Sequence, residues 1–169
     1  MRVIRHLLSI LILPTTVVVF VPWWLRASFV ASDTRWAPST FWSWLGPAAG
    51  AAIFTVGLVL FAWCVALFAI VGRGTLAPWD PTRELVVTGP YRHVRNPMIS
   101  GVAMMLAGEA LLLGSRAITA WLLFFVLVNH AYFILSEERG LTQRFGTGYD
   151  AYRAAVPRWI PRRRPWTGA

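Results

Sequence analysis

The residues able to do chemistry fall in two short stretches of this chain. Residues 87–101, VTGPYRHVRNPMISG, place Tyr91, Arg92, His93, Arg95 and Asn96 between long apolar runs. Glu137 and Glu138 follow a later apolar run. Arginine forks suit a planar carboxylate or a phosphate. Asn96 followed by Pro97 reads as a helix start, with Asn as N-cap and Pro at the first helical position. Such a start offers free backbone N–H groups and a positive dipole end, a seat for an anion. Neighbouring residues on a helix point about 100° apart, so Glu137 and Glu138 grip different parts of one ligand rather than one atom.

A ligand with an anionic end, hydroxyls or an ammonium group, and a face for aromatic walls suits this set. S-adenosylmethionine is one such ligand, and Tyr91 or Tyr132 would face its sulfonium as a cation–π partner. Other readings fit the same residues. Arg92 and Arg95 suit anchoring of a helix at lipid headgroups, and His93 suits an interface position. Asn96 and Pro97 suit simple capping, and the two glutamates suit a solvated face. Residue chemistry alone does not choose between S-adenosylmethionine, a dinucleotide and a lipid headgroup.

The elements that must position these groups are written in the composition. The chain has 169 residues, 57% of them hydrophobic, with ten tryptophans. The apolar residues come in runs rather than in a periodic pattern, which points to an all-α integral membrane protein. All sixteen basic residues counted in the +9 balance are arginines, and they cluster at the ends of the apolar runs. That placement favours orientation in a bilayer and contact with anionic lipid over nucleic-acid binding. The one cysteine, Cys64, lies inside a run and excludes an internal disulfide or a cysteine-rich metal site. No metal is expected.

Four spans are expected, at residues 7–25, 48–71, 98–113 and 117–135. The basic start and first run also describe a signal peptide, but the run is long, ends in Trp23 and Trp24, and lacks a small-x-small cleavage site. Residues 26–47 read as an interfacial loop or short helix. Gly50 and Gly57 are placed to let a neighbouring helix approach closely. Gly114, Ser115 and Arg116 read as a tight turn that makes the third and fourth helices a hairpin. Leu141, Phe145, Tyr149, Tyr152 and Val156 recur at helical spacing and read as one face of an interfacial helix, broken at Gly146 and Gly148.

Arginine placement orients the spans. The N-terminus, the 72–96 loop and the C-terminal segment hold two, four and seven arginines, against three on the opposite side. The positive-inside bias therefore puts both termini and both chemically rich stretches at the cytoplasmic face of the inner membrane.

From about Gly72 to Pro161 the chain resembles the isoprenylcysteine carboxyl methyltransferase family and its phospholipid N-methyltransferase relatives. The resemblance rests on Gly89, Pro90 and Tyr91; Arg95 and Pro97; Glu137 and Glu138; Phe145, Gly146 and Tyr149; and Val156, Arg158 and Pro161. Asn96 stands where the family motif has His, and Ile99 where it has Tyr. The resemblance implies an S-adenosylmethionine-dependent methyltransferase with an acceptor entering laterally from the bilayer. It implies cofactor binding by Tyr91, Arg95, Asn96, Glu137 and Glu138, with Arg92, His93 and Pro97 alongside them. Glu109 and His130 are ionisable groups inside spans and candidates for a general base. They suit polar contacts between helices equally well. Arg158 is a candidate for orienting an acceptor carboxylate.

The expectation is one domain with a two-helix membrane part, residues 1–71, and a cofactor-binding part, residues 72–169. It is a membrane methyltransferase acting on a lipophilic small molecule. The alternatives are a nicotinamide-dependent membrane reductase of the sterol-reductase kind and a non-enzymatic lipid-binding protein. Composition does not set the oligomeric state or the identity of the acceptor.

Overall fold

A computed structural model describes residues 14–29, 41–72 and 84–168. The expected N-terminal flank, the start of the first span, residues 30–40 of the 26–47 segment and residues 73–83 of the long loop lie outside the described residues. Every regular element among the described residues is helical. Helix α1 is Thr16–Phe29, with a π-wound first part at Thr16–Phe20. Helix α2 is Leu45–Ile70, preceded by a 3-10 turn, Phe41–Trp44. Helix α3 is Pro97–Leu113 and helix α4 is Arg116–Tyr132. A π turn, Phe133–Glu137, leads without a break into α5, Glu138–Ala155.

Among the described residues, two helices are long and apolar enough to cross a membrane: Leu45–Ile70, of 26 residues, and the continuous run Arg116–Ala155, of 40 residues. At about 1.5 Å per residue the first exceeds a hydrocarbon core of about 30 Å. The apolar helices α1 and α3 are shorter. Large apolar side chains face outward along these elements, among them Trp23, Val59, Leu123 and Leu127. An apolar surface on that scale marks contact with a membrane or a partner rather than with water.

The chain forms two compact units. The first contains residues 1–59 and 101–126. Within it, α2 meets α3 backbone against backbone, and only glycine permits this. A Cβ at Gly50 would lie 2.4 Å from the Leu112 nitrogen, and one at Gly57 would lie 2.7 Å from the Gly101 carbonyl oxygen. A Cβ at Gly108, on the α3 side, would lie 2.5 Å from the Phe54 nitrogen. The close approach expected at Gly50 and Gly57 is therefore present, and Gly108 completes it. In this unit the indole N–H of Trp121 also donates to the Val17 carbonyl at 3.0 Å.

The α3–α4 hairpin turns as expected. Gly114 has φ of 61°, and the Gly114 and Ser115 amides reach back to Leu111 and Ala110. The Ser115 hydroxyl then accepts from the Ile118 amide at 3.2 Å, capping α4. A left-handed glycine closing one helix and a serine opening the next satisfy the groups that both helix ends would leave bare.

The second unit contains residues 60–100 and 127–169. One of its cores joins Cys64, Val86 and Tyr91 to Leu67, Phe68 and Met98. Another joins Tyr149, Tyr152 and Val156 to Leu85, Val87, Leu141, Phe145 and Trp166. The stripe expected to face a membrane surface thus packs on protein, because the 85–87 segment and the C-terminal tail cover it. The helix is broken at Gly146, with φ of 54° and ψ of −135°, while Gly148 continues it.

Helix contact through glycine makes a direct prediction. Gly108→Val places new carbon against a backbone that cannot yield, so it should destabilise the detergent-solubilised protein by about 1–3 kcal/mol or more. Gly140→Ala, where an added Cβ meets nothing within 4 Å, should leave stability unchanged or slightly raised. Thermal unfolding of the two variants side by side tests both.

Candidate functional site

The polar loop that precedes α3 is shaped by its own turn. Gly89 has φ of 54°, and residues Gly89–Arg92 wind into a 3-10 turn with Pro90 in its first positions. The turn drives Tyr91 into the apolar core beside Phe68, at 5.6 Å between ring centroids. Val94 is buried as well. The polar residues between and after them, Arg92, His93, Arg95 and Asn96, stay half-buried. Asn96 ends the loop: its carbonyl accepts from the Ser100 amide at 3.0 Å, so α3 begins at Pro97 as expected.

The C-terminal tail lies against this loop, which the sequence did not announce. Arg92 Nε–H donates to the Trp166 carbonyl at 2.7 Å, and the Trp166 amide returns a bond to the Arg92 carbonyl at 2.9 Å. His93 Nδ1–H donates to the Arg162 carbonyl at 2.8 Å, and the Arg162 amide donates to the His93 carbonyl at 2.9 Å. The Arg95 amide donates to the Pro157 carbonyl, and the Tyr152 hydroxyl to the Tyr91 carbonyl at 2.7 Å. The tail is thus a strap of backbone bonds that fixes residues 91–95.

The charged centre sits on that frame. Glu138 is 6% exposed. Its Oε1 accepts from Arg95 at 2.7 Å and from Arg158 at 2.8 Å, and Arg153 approaches Oε2 at 3.5 Å. Burial pushes the Glu138 carboxyl up, but the hydrogen bond from Arg158 and the charges of Arg95, Arg158 and Arg153 outweigh it and hold the group below its ordinary value. Glu137 is different. It follows the apolar run of α4, is half-buried, and has no hydrogen-bond or ion-pair partner among the described residues. Burial, with the Glu138 charge beside it, pushes its carboxyl up to about 7. Glu137 closes the π turn and Glu138 opens α5. Adjacent helical residues point about 100° apart, so Glu138 turns into the arginines while its neighbour does not.

One more polar atom is left over here: Arg95 Nε is fully buried without a hydrogen-bond partner among the described residues. Among the described residues the site thus holds a buried, unpaired donor on Arg95 and a half-buried carboxyl on Glu137 with no protein partner.

Of the residues expected at a site, the second unit holds Tyr91, Arg92, His93, Arg95, Asn96, Pro97, His130, Glu137, Glu138 and Arg158. The structure pairs Arg158 with Glu138 and ties Arg92 and His93 to the tail. His130 meets Trp159, whose indole N–H donates to its Nδ1 at 3.0 Å. Glu109 belongs to the first unit, where its Oε2 is buried without a hydrogen-bond partner among the described residues. Arg153, Trp159 and Trp166 were not read from the sequence as site residues. Nothing local distinguishes them, since each acts through a partner far along the chain.

A family model described as phospholipid methyltransferase matches residues 45–148, well over half of the chain. Among curated proteins, the chain is 39% identical over 80 residues to a protein-S-isoprenylcysteine O-methyltransferase of Schizosaccharomyces pombe, an alignment covering 46% of this chain and 33% of that protein. It is 40% identical over 75 residues to methanethiol S-methyltransferase 2 of Bradyrhizobium diazoefficiens, covering 43% of this chain and 27% of that one. The chain therefore spans a third or less of the length of these curated relatives. No solved structure matches it. The extent of the family match, with the Gly-Pro-Tyr turn and the paired glutamates inside it, places this chain in the phospholipid methyltransferase family.

Proposed function

We propose that this chain is a membrane-embedded, S-adenosylmethionine-dependent methyltransferase whose acceptor is a lipophilic small molecule that enters from the bilayer. Family membership supports the reaction class. The observation that carries the cofactor reading is that, among the described residues, the Arg95 Nε–H is buried without a partner and the half-buried Glu137 carboxyl, beside the Glu138 that binds Arg95, has none either. S-adenosylmethionine fits both, since its carboxylate takes a guanidinium donor and its hydroxyls and ammonium take a carboxylate acceptor. When bound, it supplies an activated methyl group with its leaving group already in place. The chain's part is then to orient the partners and exclude water.

In this reading Arg95 and Glu137 hold the cofactor, and Asn96 assists with an amide that can donate and accept. The N-terminal end of α3 adds a positive dipole end beside them. Glu138 acts one step back: it fixes the Arg95 guanidinium with help from Arg158. Arg92 and His93 act through the strap, holding the loop that carries Arg95. Tyr91 and Pro97 shape the floor and the helix start. The arginine bias supports four crossings, with the site at the cytoplasmic face of the inner membrane. The relatives' names give an oxygen and a sulfur as methyl acceptors, and this chain's acceptor belongs to the same broad class of lipophilic or small apolar molecules.

Isothermal titration of the solubilised protein with S-adenosylhomocysteine and with NADPH tests the proposal. Binding of the first alone is expected, and binding of NADPH alone would sink it. Two neighbouring substitutions should separate in their effects. Glu137→Gln should weaken S-adenosylhomocysteine binding about tenfold, or about 1.4 kcal/mol, with unfolding unchanged. Glu138→Gln should instead cost about 3 kcal/mol of stability, because it strands the Arg95 and Arg158 charges in a buried place. The pH dependence follows from Glu137. Its carboxyl is neutral below about 7 and charged above, so S-adenosylhomocysteine affinity should rise about tenfold from about pH 6 to pH 8 and lose that dependence in Glu137→Gln.

A further inference from the structure

His130 is an ionisable residue in an apolar helix, and its role turns on one hydrogen bond. The Trp159 indole Nε1 lies 3.0 Å from His130 Nδ1. An indole N–H only donates, so Nδ1 must offer a lone pair. A neutral imidazole has one donor nitrogen and one acceptor nitrogen, and an imidazolium has no acceptor at all. His130 is therefore neutral in this arrangement, with its proton on Nε2. A ring so held has no lone pair left to take a proton, and protonating it breaks the bond to Trp159.

The bond has a built setting. Trp159 packs against the ring of Phe133, buried to 3%, at 5.7 Å between centroids, and lies 6.2 Å from the His130 ring. Both neighbours hold the indole in place. His130 itself is half-buried, and Nε2 has no partner among the described residues. The same face of the helix carries Leu127 and Ile134, three residues before and four after, which are 68% and 42% exposed. This N–H is thus unmet among the described residues, on a helix whose nearby surface is apolar, where an unmet donor is costly and a lipophilic molecule with an acceptor atom satisfies it.

We propose that Trp159 fixes His130 as an Nε2–H donor that positions the lone-pair-bearing group of the methyl acceptor, and that His130 is not the general base of the reaction. His130 is then a positioning residue. The acceptor's attacking atom must carry its lone pair on arrival, with no proton given to this imidazole. The assignment of an acceptor to this surface rests on the proposed methyltransferase function. The tautomer does not, because it is set by Trp159 alone.

The test is 15N NMR of the full chain in detergent, labelled at histidine, first without cofactor or acceptor. His130 should show a protonated Nε2 and an unprotonated Nδ1. Its signals are identified by their loss in His130→Gln or, should that variant not fold, by the cross-peak to the Trp159 indole proton. A protonated Nδ1, or an imidazolium, at neutral pH would overturn the inference. Trp159→Phe should release the constraint and populate the other tautomer, and an unchanged spectrum would remove Trp159 from the role. Decanoate and decyltrimethylammonium then serve as matched probes, with the same chain but only one carrying an acceptor atom. Decanoate should move the Nε2–H proton downfield and decyltrimethylammonium should not. Equal responses to both would overturn the donor role while leaving S-adenosylhomocysteine binding, measured separately, to decide the methyltransferase reading.

Discussion

The arrangement of the site depends on one carboxylate. Glu138 takes a hydrogen bond from Arg95, at the start of α3, and another from Arg158, in the tail beyond α5, on the same oxygen. A buried charge with such partners is held by geometry as much as by Coulomb attraction, because moving either arginine leaves a stranded ion. The contact therefore fixes three elements of the second unit at once: the loop before α3, the start of α5 and the tail. The strap of backbone bonds between residues 91–95 and 157–166 repeats the same attachment in uncharged form.

With Glu138 committed to structure, the proposed cofactor contacts pass to what is left unsatisfied. Three arginines surround a single carboxylate, and one of them keeps a buried Nε–H without a partner among the described residues. Glu137, one residue earlier, has the opposite deficit. Adjacent residues in sequence have thus been given opposite protonation behaviour by their surroundings, one held ionised and one raised toward neutrality. A pair of titratable groups pushed apart in this way is a common signature of a working site. Adjacent helical residues point about 100° apart, which lets one face the arginines while the other does not.

Elsewhere the chain meets the demands of an apolar solvent in a different way. Burial of apolar surface cannot hold helices together where the surroundings are equally apolar, so close packing must do so. Gly50, Gly57 and Gly108 let α2 and α3 approach backbone to backbone in the first unit, and Gly114 with Ser115 lets α3 turn into α4 without bare polar ends. In the second unit the polar groups are concentrated instead, and aromatic side chains such as Tyr91, Tyr152 and Trp166 fill the space beneath them.

By itself the sequence determined the parts that local physics controls. The lengths of the apolar runs gave the helices, Asn96 and Pro97 gave the start of α3, and Gly114 and Ser115 gave the hairpin turn. The residue types at 91–96 and at Glu137 and Glu138 marked polar stretches that the second unit brings together. Only the tertiary structure decided which of those residues do what. The tail meets Arg92 and His93 across 74 and 69 residues of chain, and no local pattern encodes such a pairing. Likewise the stripe from Leu141 to Val156 looked like a membrane-facing helix, because periodicity shows that a face is apolar but not what covers it. The separation of Glu137 from Glu138 needed three arginines brought from elsewhere in the chain. The donor form of His130 needed an indole from Trp159. Hydrogen-bond roles and ionisation are set by neighbours in space, and the fold supplies those neighbours.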